Sequence, residues 1–192
     1  MQKPNDGYKA ISDEELALSA QKGDERAFVV LVERYEPKLS RYGTKFLADT
    51  ANIEDTVQDV FIKVYQNMRS FDAARKFSPW IYRIAHNEFV NALRKVSRGA
   101  VPVFDFDALV AHHVYEDPVV EAKEKEEMNV LLKKGLEALA PDQREILVLH
   151  YIEDLSYKEI VDVLQIPQGT VGVRILRARA ALKKYVLREQ NL

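Results

Sequence analysis

Two stretches of this 192-residue chain combine residue types that suit nucleic-acid chemistry. The first runs from Phe71 to Asn87 and interleaves Phe71, Phe77, Trp80 and Tyr82 with Arg75, Lys76, Arg83 and His86. Cations beside rings can track a single-strand backbone and stack unpaired bases, each stacked base being worth roughly 1–3 kcal/mol. A few rings would then offset much of the cost of opening a short duplex segment. The alternative buries Phe71, Phe77, Trp80, Ile81 and Ile84 as ordinary core, a reading that the neighbouring cations Arg75, Lys76, Arg83, Arg94 and Lys95 resist. The second stretch, 168–188, holds six Lys/Arg and no acid. Its apolar residues Val171, Ile175, Ala178 and Leu182 fall on one helical face and leave Arg174, Arg177, Lys183 and Lys184 to project elsewhere. The first turn of such a helix can enter the major groove while later cations meet phosphates. A three-helix bundle with a solvated basic face is the competing reading.

Catalytic and metal chemistry find little support. There is no cysteine, and His86, His112, His113 and His150 lack the spacing of a helical metal site. No Gly-rich phosphate loop or serine nucleophile motif occurs, so no enzyme activity and no cofactor are expected. The net charge of −2 is not that of a uniformly basic protein, but the charges are blocked. Residues 69–98 carry seven Lys/Arg against two acids, whereas 105–127 carry eight acids against two lysines. Two anion-binding segments with an acidic connector between them follow from that pattern. No apolar run approaches the roughly 20 residues of a membrane span, and the polar start from Met1 to Ala10 shows no cleavage pattern. A cytoplasmic protein without membrane insertion is expected.

Helices must position these groups. Ser12-Asp13-Glu14-Glu15 is a capping box, and Gly23-Asp24 ends one helix and caps the next. Phe28, Leu31, Val32, Tyr35, Leu39, Tyr42 and Phe46 recur at helical spacing, with Pro37 expected to kink or split their helix. A further helix carries Ile53, Val57, Val60, Phe61, Val64 and Met68. Ser78-Pro79 reads as N-cap and first-turn proline of a helix to about Val96. After a linker, Asp117-Pro118 opens a helix ending near Ala140-Pro141. Three shorter helices follow, over about 142–151, 156–164 and 170–186, with Ser156-Tyr157-Lys158-Glu159 a second capping box and Thr170 a cap for the last. Strand signals are absent. The expected fold is all-α: two small helical domains joined by a linker, the C-terminal one a helix-turn-helix.

Leu139-Ala-Pro-Asp-Gln-Arg-Glu-Ile-Leu-Val-Leu149, Leu155-Ser-Tyr-Lys-Glu-Ile160 and Ile166-Pro-Gln-Gly-Thr-Val-Gly-Val-Arg174 with Arg177-Ala-Arg179 resemble domain 4 of bacterial sigma factors. The resemblance is to the extracytoplasmic-function (ECF) group. It implies that Thr170, Val173, Arg174 and Arg177 contact the minus-thirty-five promoter element. Two positions depart from the family pattern: Gly172 replaces a basic residue, and Gln165 stands where a helix-ending glycine is common. The stretch from Gln21-Lys-Gly-Asp24 through Arg94-Lys95 resembles sigma domain 2, with the signature around Trp80, Tyr82, Arg83 and Asn87. Here the resemblance assigns Arg75, Lys76, Arg83, His86, Asn87 and Arg94 to the minus-ten element, with Trp80 supporting them from the core.

Glu54-Asp55-Thr-Val-Gln58-Asp59-Val-Phe61 is similar to the sigma segment that docks on the clamp helices of the polymerase largest subunit. Asp55, Gln58, Asp59 and Ile62 share a face, Val57, Val60, Phe61 and Val64 form the core stripe, and Phe61 supports the face from below. A charged solvent face is the plain alternative. The resemblance implies sigma domain 2 over 10–97, an acidic linker and the start of the connecting helix over 98–127, and sigma domain 4 over 128–190. In the family the linker threads toward the polymerase active-site cleft, although a solvated spacer fits the composition equally. The implied partners are core RNA polymerase, including the flap of its second-largest subunit, promoter DNA and a cognate anti-sigma factor. The implied role is promoter-directed transcription in a stress or envelope response. A helix-turn-helix repressor or activator, binding duplex DNA tightly on its own, is the rival.

Overall fold

The computed structural model describes Tyr8, residues 10–96 and residues 122–190. The N-terminal region holds α1 (Asp13–Gln21), α2 (Glu25–Gly43), α3 (Thr50–Asn67) and α4 (Phe77–Val96), with a 3-10 turn, Met68–Ser70, after α3. The C-terminal region holds α5 (Ala122–Ala138), α6 (Pro141–Leu147), a π turn (Val148–Ile152), α7 (Tyr157–Leu164) and α8 (Gln168–Gln190). The fold is all-α, in two helical regions. The opening at Asp117-Pro118, the pair His112-His113 and most of the linker lie outside the described residues.

Local rules account for most boundaries. Ser12 and Ser156 accept from the backbone of Glu15 and Glu159, whose side chains reach back to the cap N–H, giving two complete capping boxes. Asp24 accepts from the N–H groups of Arg26 and Ala27. Three expectations are corrected. α2 is not split at Pro37 but continues through it, with Leu31, Tyr35, Leu39 and Tyr42 buried on both sides and Pro37 itself facing solvent. Helix α4 begins at Phe77, whose N–H donates to Glu14 Oε1 at 2.9 Å, so a carboxylate from α1 takes the place of the expected Ser78 cap. Thr170 lies inside the first turn of α8, which starts at Gln168 and is fastened by Thr170 N–H donating to the Pro167 carbonyl.

Gly43 is required by packing: a Cβ there would lie 2.5 Å from the Phe89 ring. Buried residues of both regions belong to one contiguous apolar cluster, and α7 packs against α4. The C-terminal region therefore packs on α4, the helix that follows the 71–76 loop.

Candidate nucleic-acid interface

The loop after α3 is held from a distance. Gln21 Nε2 donates to the carbonyls of Met68 (2.9 Å) and Phe71 (2.7 Å). Asp72 accepts from Ala74 N–H at 3.0 Å, and Arg75 N–H donates to the Asp72 carbonyl. Phe71, Phe77 and Trp80 pack against one another edge-on or tilted, with centroids 5.2–5.6 Å apart. The core reading holds for Phe71, Phe77 and Ile81, which are buried, while Trp80 is half-buried and supports the loop. Arg75, Lys76 and Arg83 are exposed. With Ser70, Pro79 and Trp80 they line a cleft of about 580 Å³ whose far wall is Glu159 and Asp162 of α7.

Lys76 Nζ lies 2.9 Å from Glu159 Oε1. Its hydrogen bond and charge attraction to Glu159 raise the Lys76 pKa. Partial burial works to raise that of Glu159, but bonds from Lys76 and Ser156 outweigh it and hold the carboxyl below its ordinary value. Further along α4, His86 Nδ1 is 2.7 Å from Glu145 Oε1. Asn87 and Arg94 are exposed, four and eleven residues beyond Arg83, and share its side of α4. The structure thus gathers Arg75, Lys76 and Arg83 at one cleft, sets Asn87 and Arg94 along the same helix, and places His86 against the C-terminal region.

In that region, α7 ends at Gln165, which takes the left-handed conformation (φ 55°) where glycine is common, and its N–H donates to the Val161 carbonyl. Val171, Ile175 and Ala178 anchor α8, with Leu182 partly buried behind them. Val173 and Arg177 face solvent, and Thr170 and Arg174 are half-buried at the same end. On α3, Asp55, Gln58, Asp59 and Ile62 are all exposed, whereas Val57, Val60 and Val64 are buried and Phe61 is 9% exposed at the edge of that stripe.

Comparison with known proteins agrees with this geometry. The Sigma-70 region 2 family matches residues 31–99 and the Sigma-70 region 4 family residues 130–182. The ECF RNA polymerase sigma factor SigW of Bacillus subtilis is 36% identical over 174 residues, spanning 85% of this chain and 91% of its own. The ECF RNA polymerase sigma-E factor of Escherichia coli is 33% identical, spanning 92% of this chain and 95% of its own. This chain belongs to the ECF sigma factors of the sigma-70 family. Promoter-specific initiation of transcription is its function. Among solved structures, CnrH in complex with the cytosolic domain of CnrY superposes with a TM-score of 0.64 at 28% identity, covering 90% of this sigma factor and 95% of that chain. The sigma factor RpoE of Bartonella quintana, in complex with the anti-sigma factor NepR, gives 0.62 at 25% identity, covering 83% and 96%.

Several residues that shape the sigma factor's surfaces escaped the sequence reading. Glu14 and Gln21 bond to backbone more than 45 residues away, and no local pattern marks them. Leu176, 64% exposed, sits one turn beyond Val173 on the outer face of α8, and Tyr65, 57% exposed, extends the Asp55/Gln58/Asp59/Ile62 face. Both could have been found as large apolar residues outside their helix's core stripe. Among the described residues no cluster of His, Cys, Asp or Glu could hold a metal ion, and no helix is long and apolar enough to cross a membrane.

Proposed function

We propose that this sigma factor divides its labour by region. Residues 10–97 dock on the clamp helices of the polymerase largest subunit through Asp55, Gln58, Asp59 and the supporting Phe61, and recognise and melt the minus-ten element through Arg75, Lys76, Arg83, His86, Asn87 and Arg94. Residues 98–127 are the connector. Residues 128–190 read the minus-thirty-five element through Thr170, Val173, Arg174 and Arg177 and lie on the flap of the second-largest subunit. The chain works in the cytoplasm, in a stress or envelope response, and supplies no catalytic group or cofactor to RNA synthesis. The two solved relatives are complexes with CnrY and with the anti-sigma factor NepR, which supports a cognate anti-sigma factor as a further partner.

The observation that carries this reading is the α3 face. Two carboxylates and an amide stand exposed beside Ile62 and Tyr65, on a helix whose opposite stripe is fully buried. A repressor or activator that binds duplex DNA alone has no need of that face. Run-off transcription with core polymerase across a promoter library tests it. Asp59→Lys should abolish transcription and core binding at once, while Arg174→Ala should weaken minus-thirty-five recognition and spare core binding. Loss of both activities in both variants would refute the division of labour.

A further inference from the structure

The two regions meet through three carboxylates of the C-terminal one. Glu145 Oε1 accepts from Tyr42 OH at 2.5 Å and lies beside His86. Glu153 Oε2 accepts from Tyr82 OH, and Glu159 reaches Lys76. Every partner belongs to the N-terminal region, and Tyr42 and Tyr82 are fully buried. Lys45 lies in the same contact, 2% exposed, its Nζ 4.2 Å from the centre of the Tyr42 ring and without a hydrogen-bond partner. Arg41 Nε and Glu153 Oε1 are likewise buried without one.

Such a junction is a balance. Charge-assisted hydrogen bonds draw the regions together, but each buried polar atom left unpaired keeps its desolvation cost and would be better satisfied in water. A permanent interface would be expected to fill these positions with apolar side chains or to complete the network. The cations that it engages are also those a nucleic-acid backbone would seek. Lys76 is held by Glu159, and Arg75 and Arg83 share a cleft with Glu159 and Asp162.

We propose that this contact is a reversible self-clasp: Glu145, Glu153 and Glu159 close the C-terminal region over the cationic face of the N-terminal one, and uptake of a proton by Lys45 opens it. The masking of DNA contacts rests on the minus-ten assignment made above; the clasp itself does not. Burial lowers the Lys45 pKa to about 7, with Glu153 and Glu145 drawing it up and Arg41 and Arg144 pushing it down. The other groups facing this junction are Tyr42 from α2, and Tyr82 and His86 from α4. Burial and the neighbouring carboxylates push both tyrosines well above their ordinary value, so they remain neutral near neutrality.

The sign follows by linkage. Opening returns Lys45 to water, where its ordinary pKa is 10.5, so the open form binds the extra proton. Closure is strongest at high pH and weakens as pH falls toward about 7, below which Lys45 adds nothing further. The chain has no native cysteine, so spin labels on Glu25→Cys and Lys184→Cys report the inter-region distance in the free full-length protein. Between about pH 9 and about pH 7 the open-to-closed ratio should rise roughly ten- to fiftyfold. In Lys45→Met the pH dependence should vanish and the short distance should persist, and His86→Gln should leave the slope in place. Glu145→Gln combined with Glu159→Gln, which keeps the capping box, should shift the ratio toward open at every pH. A ratio independent of pH in the unsubstituted background, or a slope that survives Lys45→Met, overturns the proton step. A long distance alone in that background overturns the clasp. Fluorescence anisotropy with a single-stranded minus-ten oligonucleotide separates the two claims: Lys45→Met should bind more weakly, and unchanged binding alongside the expected distances would sustain the clasp and remove the minus-ten assignment.

Discussion

The N-terminal region is built on aromatic rings and the C-terminal region on aliphatic side chains. Tyr35, Tyr42, Phe77, Tyr82 and Phe89 are buried, and edge-to-face pairs join Tyr35 to Phe77, Tyr42 to Tyr82 and Tyr42 to Phe89 at 5.3–6.0 Å. Rings in such arrangements have preferred geometries and few rotamers, which suits a region that must hold a short loop and a set of cations in fixed positions. The C-terminal core is Ile146, Leu147, Leu149, Ile160, Val163, Val171 and Ile175. The ring contacts of this region, His150 with Tyr151 and with Tyr157, lie outside that core, which relies on Arg144. This guanidinium, 3% exposed, donates to the carbonyls of Leu136 (2.8 Å), Glu137 (2.6 Å) and Leu139 (3.1 Å), tying the end of α5 to α6. The first region keeps a surface of many elements in register.

If that contrast is right, the regions fail differently. Arg144→Ala removes three charge-assisted bonds that hold the end of α5, and should cost roughly 2–4 kcal/mol in urea unfolding. Amide exchange should localise the loss to residues 130–182, whereas protection lost equally in α1–α3 would mean that the regions unfold as one unit. Gly43→Ala drives a Cβ to within 2.5 Å of the Phe89 ring and should cost about 1–3 kcal/mol, seen as lost protection in α2 and α4. A neutral result would show the aromatic core to be more yielding than its ring geometry implies. Gly172→Ala is the mildest case. Its Cβ would meet a Tyr157 ring carbon at an ordinary 3.6 Å, so the helix should gain about 1 kcal/mol without losing minus-thirty-five binding. Weaker DNA binding by this variant would mean that the backbone at Gly172 must approach the DNA closely.

Legibility followed the same division. The α7-turn-α8 unit, the buried stripe of α8 and the exposed Asp55/Gln58/Asp59 face could all be read from side-chain spacing along single helices. Left-handed Gln165 shows that a family glycine can be replaced where the backbone needs αL, at a modest cost. What could not be read were bonds that span the chain. Glu14 capping α4 and Gln21 fastening the 71–76 loop depend on which helices meet, and so do the pairing of Lys76 with Glu159 and the burial of Lys45.

By itself the sequence determined the helices, their buried faces, two basic segments with an acidic stretch between them, and the family, because periodicity, caps and charge blocks act over a few residues. Tertiary structure alone decided that the two regions close on each other and that Glu145, Glu153 and Glu159 find their partners across that junction. Those contacts join residues 59 to 103 positions apart, and nothing in the local chemistry of either partner marks the other.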